Sequence, residues 1–257
     1  MKQVKRIVGI FFAVLLVFGL AAAIPQQTFA AATKTVYVMT QSTTTNNIYS
    51  STTTAKYSYN SDGLLKAAGT TKYTYSSKNL ITKETNGSAV DNYSYKSGKL
   101  TKSVNSYGEK TVYKYNSSGQ LKTVKRQYGS EMQTTYTYNK NGQVSSITSE
   151  TTNPDSSYFS TKYSGIKYDS QGIITGYKTS LLNEEYRYKI TYKNNRLVKK
   201  VEQKKQNGKW ITVSTTTYKY KKLQVSSSLA KKINAQQKCI LNPSTLSAGI
   251  VAATAGA

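Results

Sequence analysis

A pair of tyrosines separated by one residue, then a turn, then a branched aliphatic residue, recurs along this chain and constrains its fold more than any other feature. YSYNSDGLL begins at Tyr57, YTYSSKNLI at Tyr73, YSYKSGKL at Tyr93, YKYNSSGQL at Tyr113 and YTYNKNGQV at Tyr136. IKYDSQGII from Ile166 and ITYKNNRLV from Ile190 are more divergent, and YKYKKLQV from Tyr218 is partial. The second aromatic position falls at Tyr59, Tyr75, Tyr95, Tyr115, Tyr138, Tyr168, Tyr192 and Tyr220, in steps of 16 to 30 residues. Steps of that size signal stacked supersecondary units.

Each unit reads as a β-hairpin. Side chains alternate along a strand, so Tyr113 and Tyr115 share one face while Val112 and Lys114 take the other. Asn116, Ser117, Ser118 and Gly119 supply turn chemistry, because Asn bonds its own following backbone and Gly accepts positive φ. Leu121 opens the return strand. Leu121 and Val124 are three apart and cannot share a face of a regular strand, so a bulge in the return strand is expected. One such hairpin alone is marginal. About eight in series predict an all-β fold of tandem antiparallel hairpin repeats forming one extended, curved or wound sheet, each unit burying its neighbour's Tyr face.

Composition explains why tyrosine builds this core. Beyond residue 32 the chain is poor in Leu, Ile, Val and Phe and strongly charged, a balance that ordinarily signals disorder. All 23 Tyr lie in that part, and Tyr has the area of a core residue with a hydroxyl that tolerates water. Ordered spacing therefore argues for a folded repeat domain over residues 56–225. Residues 33–55 read as a Thr/Ser-rich strand or linker, and residues 226–257 as a non-repeat tail.

Residues 1–32 read as a secretory signal peptide. Lys2, Lys5 and Arg6 precede an uncharged run from Ile7 to Ile24, then Pro25 and the small residues Ala30, Ala31 and Ala32. Retention as a membrane anchor is the competing reading, since the run is just long enough to span. Removing those three of the 36 Lys and Arg, and none of the 11 Asp and Glu, changes the net charge from +25 to +22. The expected location is extracytoplasmic, secreted or at the cell surface. The expected partner is an anionic cell-wall polymer or carbohydrate, without nucleic acid and without a stable transmembrane segment after cleavage. Arg126, Arg187 and Arg196 are the arginines that remain. Lysine, suited to loose attraction, supplies the other cations. The lone Cys239 excludes an internal disulfide and reads as a free thiol.

Nothing in the chain assembles into catalytic chemistry. Histidine is absent, which removes the commonest general base and metal ligand. No cysteine cluster suits zinc. Glu184 and Glu185 are the only adjacent carboxylates, and on a strand they point to opposite faces. No facing pair for glycoside hydrolysis can be nominated. Asp169 stands where other units have Asn and reads as a turn residue. Asn60, Ser61, Asp62 and Gly63 fall far short of a calcium loop. The expectation is a non-enzyme with no catalytic, metal or cofactor-binding residues and no cofactor. Its binding residues are unassigned, with the Tyr ladder the one feature able to stack on a ligand. The uncharged segment Ile240 to Ala257 holds Asn242, Pro243, Ser244 and Thr245, which make it a poor membrane helix.

The pattern Tyr-x-Tyr-[Asn/Asp]-x-x-Gly-x-[Leu/Val/Ile] resembles the tyrosine-aspartate repeat of the Rhs-like, YD-repeat proteins, and Tyr168-Asp169 is the dipeptide itself. Asn207 to Tyr220, NGKWITVSTTTYKY, is similar to strands between repeats in secreted bacterial relatives. The resemblance covers residues 56 to about 225. It implies β-strands wound into curved sheets, which in large toxins make a hollow shell around a toxic domain. This chain is too short for a shell of that kind, and no toxin domain follows its repeats. Choline- and glucan-binding wall repeats are also Tyr-rich hairpins, but they depend on tryptophan in Gly-Trp units. This chain has Trp210 and no Gly-Trp, so no ligand residue carries over. The functional expectation is a cell-surface binding or scaffold module, with a structural component of a YD-repeat toxin system as the alternative.

Overall fold

The computed structural model describes residues 33–153, 155, 157–180, 183–246 and 249–256. The expected signal peptide, residues 1–32, lies outside the described residues. Sixteen strands follow one another: β1 (Thr33–Asn46), β2 (Ser51–Tyr59), β3 (Leu65–Ala68), β4 (Thr71–Tyr75), β5 (Ile81–Asn86), β6 (Ala89–Lys96), β7 (Lys99–Asn105) and β8 (Lys110–Tyr115). Next come β9 (Leu121–Tyr128), β10 (Ser130–Tyr138), β11 (Val144–Thr152), β12 (Tyr158–Tyr168), β13 (Ile174–Thr179), β14 (Glu184–Lys193), β15 (Arg196–Gln206) and β16 (Lys209–Ser226). Two helices, α1 (Ser227–Leu241) and α2 (Gly249–Gly256), flank a short 3-10 turn at Ser244–Leu246.

Each strand pairs antiparallel with its sequence neighbours, and β1 also pairs with β16. The expected extended or wound sheet is therefore corrected to a closed sixteen-strand barrel. The physical reason lies in the incomplete eighth repeat. Tyr218 and Tyr220 on β16 have no return strand after them, because the chain turns into α1. The N-terminal strand β1 takes that place. Met39 pairs with Tyr220 and Gln41 with Lys219, skipping one residue. Closure leaves no open strand edge to pair with another molecule.

The same skip marks every repeat with a return strand. Tyr59 pairs with Leu65 while Ser58 pairs with Ala67, and Tyr115 pairs with Leu121 while Lys114 pairs with Thr123. Equivalent shifts follow Tyr75, Tyr95, Tyr138, Tyr168 and Tyr192. The bulge at Lys122 puts Leu121 and Val124 on one face, which resolves their three-residue spacing. Five of the turns share one pattern, while the units at Tyr95 and Tyr192 turn through Ser97-Gly98 and Asn194-Asn195 at positive φ. In the unit at Asn116, its backbone N–H donates to Gln120, Gly119 N–H donates to the Asn116 carbonyl, and the Asn116 side chain accepts from Gln120 N–H at 2.8 Å. Asn60, Asn139 and Asp169 repeat this arrangement, and Ser76 does so with Asn79 at φ 57 where the others have Gly.

The helical segment fills one end of the barrel. In α1, Ala230, Ile233, Gln236, Gln237 and Leu241 are buried, one stripe of an amphipathic helix. Its Ser226 side chain caps the first turn by accepting from Leu229 N–H. Ala230 and Ile233 pack with Val36, Val38, Leu64 and Val225. Leu241 packs with Met39, Ile173, Leu197 and Tyr218. Leu246 meets Ile147, Ile174, Tyr177 and Tyr188, and Val251 in α2 meets Ile81 and Leu100. Partners drawn from all round the barrel place this segment inside its wall. Lys232 Nζ donates to the carbonyl of Lys78 in the β4–β5 turn at 3.2 Å, and Asn242 accepts from Ile174 N–H at 2.8 Å beside the β12–β13 turn. The plug therefore closes the mouth that carries the Asn-x-x-Gly turns.

Candidate functional site: a tyrosine-walled lumen closed by helices

The Tyr face of each repeat points inward. Tyr57, Tyr59, Tyr73, Tyr75, Tyr93, Tyr95, Tyr113 and Tyr115 are half-buried, whereas Lys56, Ser58, Lys72, Thr74, Ser94 and Lys114 between and beside them are exposed. The second tyrosine of a repeat reaches back to the preceding unit. Tyr59 donates to the Met39 carbonyl at 2.6 Å, Tyr75 to Leu65 at 2.7 Å and Tyr95 to Ile81 at 2.6 Å. Tyr138 donates to Leu121, Tyr168 to Val144 and Tyr220 to Leu197. Each acceptor is the residue at the preceding bulge. Tyr192 instead bonds the carboxylate of Asp169, and the Tyr115 hydroxyl faces the Leu100 backbone, the equivalent acceptor, outside strict hydrogen-bond geometry. Burial raises these hydroxyls above the usual tyrosine range; Tyr75, Tyr138 and Tyr168 are pushed up to about 12.

A cavity of about 560 Å³ lies between this tyrosine wall and the plug. Tyr57, Tyr73, Tyr93 and Tyr113 form one side, with Glu84 among them; Cys239, Ile240 and Asn242 of the plug form the other. Burial pushes the Cys239 thiol up to about 11, so it is not a reactive thiolate.

The lumen holds two polar clusters that sequence reasoning missed. In the first, Glu84 on β5 pairs directly across to Asp91 on β6. Residues opposite each other on neighbouring antiparallel strands have Cβ atoms about 5 Å apart, so the two carboxylates face each other. The expectation that no facing pair could be nominated is corrected here; register about the Gly87-Ser88 turn was the signal. Burial raises both carboxyls above their usual range. Tyr93 donates to Glu84 at 3.1 Å, which opposes that rise, and Arg126 opposes it at Asp91. Glu109 nearby is buried and ion-paired with Arg126. In the second cluster Tyr188 donates to Glu202 at 3.2 Å and Ser214 donates to it at 3.0 Å. Lys200 donates to the Leu241 carbonyl at the end of α1 at 2.8 Å, and burial draws its ammonium down to about 8. Lys204 and Tyr186 both bond Glu184.

Glu184 faces the lumen while Glu185 faces outward beside Lys178 and Lys205, as their adjacency on a strand requires. Asp169 occupies its turn position and holds Ile173 N–H and Gln171 N–H. Among the described residues, no group of three or more His, Cys, Asp or Glu could hold a metal ion. No helix among them is long and apolar enough to cross a membrane.

No protein-family model and no curated protein matches the chain. Among solved structures it is similar to a porin-like protein from Bacteroides vulgatus, with a TM-score of 0.52 and 13% identity over 71% of this chain and 98% of that one. A porin-like protein from Bacteroides uniformis matches at a TM-score of 0.39 and 16% identity over 71% of this chain. A chain of the TcdB2-TccC3-Cdc42 structure matches at 0.32 and 14% over 63% of this chain, which spans 10% of that one. The first likeness establishes the shared barrel fold. The sorting of side chains differs from what a membrane-spanning barrel needs, since such a barrel carries an outward apolar band and the exposed strand positions here are mostly Lys, Thr and Ser, with scattered apolar residues such as Val112 and Ile211.

Proposed function

We propose that this chain is an exported, non-catalytic binding module of a bacterial envelope that holds an anionic wall polymer or glycan on its lysine-covered exterior. The observation that carries this reading is the sorting of charge by the barrel wall. Lys56, Lys72, Lys114, Lys189 and Lys219 are exposed on the outer face, while Glu84, Asp91, Glu184 and Glu202 are turned into the lumen, where Lys200 and Lys204 accompany the last two; Glu185 lies outside, against Lys178 and Lys205. The net charge of the chain is thus concentrated where a polyanion meets it. Tyr-x-Tyr units with a shared bulge and Asx turn are our ground for reading it as a relative of the YD-repeat proteins. The plug occupies one end of the lumen where a shell would hold cargo, leaving about 560 Å³ beside it, which favours the surface role over a shell component.

Among the described residues, the sixteen strands span residues 33–226 and the helices residues 227–256, so residues 33–257 are the chain to test. Sedimentation of that chain with bacterial cell walls, across a salt series, tests the reading. Binding at low salt should weaken as salt rises. It should fall roughly tenfold when Lys56, Lys72, Lys114 and Lys219 are all replaced by Gln. Absence of binding at low salt, or equal binding to walls stripped of anionic polymer, would sink it.

A further inference from the structure

An up-and-down barrel sends alternate connections to opposite mouths. The plugged mouth carries polar Asn, Ser, Lys and Gly turns. The other mouth collects the exposed large apolar side chains. Ile48 and Tyr49, in the β1–β2 connection, are 55% and 77% exposed. Tyr107 in the β7–β8 connection is 67% exposed, and Tyr158 and Phe159 after the β11–β12 connection are 58% and 64% exposed. Ile211, 38% exposed on β16, lies two residues from Val213, whose carbonyl accepts from Asn47 N–H at the start of the β1–β2 connection. On the plugged side Tyr37 is also exposed, but Arg196 lies over its ring at 4.3 Å.

Three properties of these tips act together. First, they sit at three places round the mouth, several strands apart, or roughly 20 to 30 Å at the usual strand spacing. That spread exceeds the reach of a small ligand. Second, their backbones are already satisfied. Asn46 Oδ1 accepts from Ile48 N–H at 2.9 Å and Tyr49 N–H at 3.1 Å, and Asn105 Oδ1 accepts from Tyr107 N–H at 3.0 Å. The rings can leave water without exposing an unpaired N–H to an apolar phase. Third, lysines surround them. Lys110, Lys162 and Lys209 are exposed near the three tips. Of the acids at this mouth, Glu109 is paired with Arg126, Glu131 with Lys125 at 2.7 Å and Glu185 with Lys205 at 3.5 Å, and Glu150 accepts from the Tyr158 hydroxyl at 3.0 Å. Asp155 holds Ser157 N–H.

We infer that the unplugged mouth docks on an anionic lipid bilayer, with Tyr49, Tyr107 and Phe159 at headgroup level and the barrel standing outside the membrane. Aromatic rings flanked by Lys are the side chains that settle at that interface. This goes beyond binding of a wall polymer and is tested apart from it, because vesicles carry no such polymer.

Residues 33–257 are mixed with vesicles of phosphatidylcholine, with or without phosphatidylglycerol. Trp210, the chain's one tryptophan, adjoins Ile211 and reports directly. The expected result is salt-weakened binding to the phosphatidylglycerol vesicles alone, with Trp210 fluorescence quenched when the acyl chains are brominated. The variant Tyr49→Ser/Tyr107→Ser/Phe159→Ser should bind those vesicles at least tenfold more weakly and bind cell walls unchanged. No vesicle binding by the native chain, equal binding to both vesicle types, or undiminished binding by a folded triple variant would overturn the inference. So would a dimer in solution that the triple variant abolishes, since that would make a second copy the occupant. Loss of wall binding with vesicle binding intact would instead count against the polymer reading alone.

Discussion

Each ladder tyrosine combines two roles that other residues would divide. Its ring fills the lumen of a chain short of aliphatic side chains, and its hydroxyl ties one repeat to the backbone of the one before. Tyr95 and Tyr115 hold equivalent positions but differ in the second role. The Tyr95 hydroxyl donates to Ile81 at 2.6 Å, and the Tyr115 hydroxyl meets the equivalent acceptor, the Leu100 backbone, in a poorer geometry. Tyr95→Phe should therefore cost about 1 kcal/mol, while Tyr115→Phe should cost less, since its contact with the Leu100 backbone falls outside good hydrogen-bond geometry. Urea unfolding of the two variants checks this. Equal losses would mean that the ladder bond contributes nothing beyond the ring.

At the scale of elements, the plug is held by polar side chains that read the bulges. Gln237 Oε1 accepts from Met39 N–H at 2.8 Å and Gln236 Oε1 from Leu65 N–H at 3.1 Å; their amides donate to Tyr59 and Tyr75 hydroxyls. Gln237→Leu keeps the volume but strands Met39 N–H in the core, at a cost of about 1 to 3 kcal/mol. The expected outcome is a lowered melting temperature and faster reaction of Cys239 with a thiol reagent, because the plug that buries it loosens. An unchanged thiol rate would show that apolar packing alone seats the helix. The hairpins were legible in the chain because their determinants are local. Tyr-x-Tyr sets the face, Asn-x-x-Gly sets the turn, and the three-residue interval from Leu121 to Val124 calls for the bulge. The plug was not legible, since the partners of Gln236 and Gln237 lie more than 160 residues upstream. The Glu84–Asp91 pair depends on register about Gly87 and Ser88, which composition does not reveal.

For the whole molecule, closure is the step on which the rest depends. It turns a series of hairpins into a wall with an inside and an outside, and so places the paired tyrosines within and most of the lysines without, Lys200 and Lys204 staying inside beside Glu202 and Glu184. It was hidden in the sequence because β1 completes the eighth repeat without a Tyr-x-Tyr signature of its own, from the far end of the chain. Thr44 on β1 and Thr216 on β16 face each other across that seam, with hydroxyls 2.9 Å apart. The most direct test is a cysteine pair at these two positions, in a Cys239→Ser background of residues 33–257. The account predicts a disulfide that forms on mild oxidation within the monomer and raises unfolding stability by up to about 4 to 5 kcal/mol, as expected for so long a closed loop. Two thiols that stay free under oxidation in the folded chain would contradict the closed barrel.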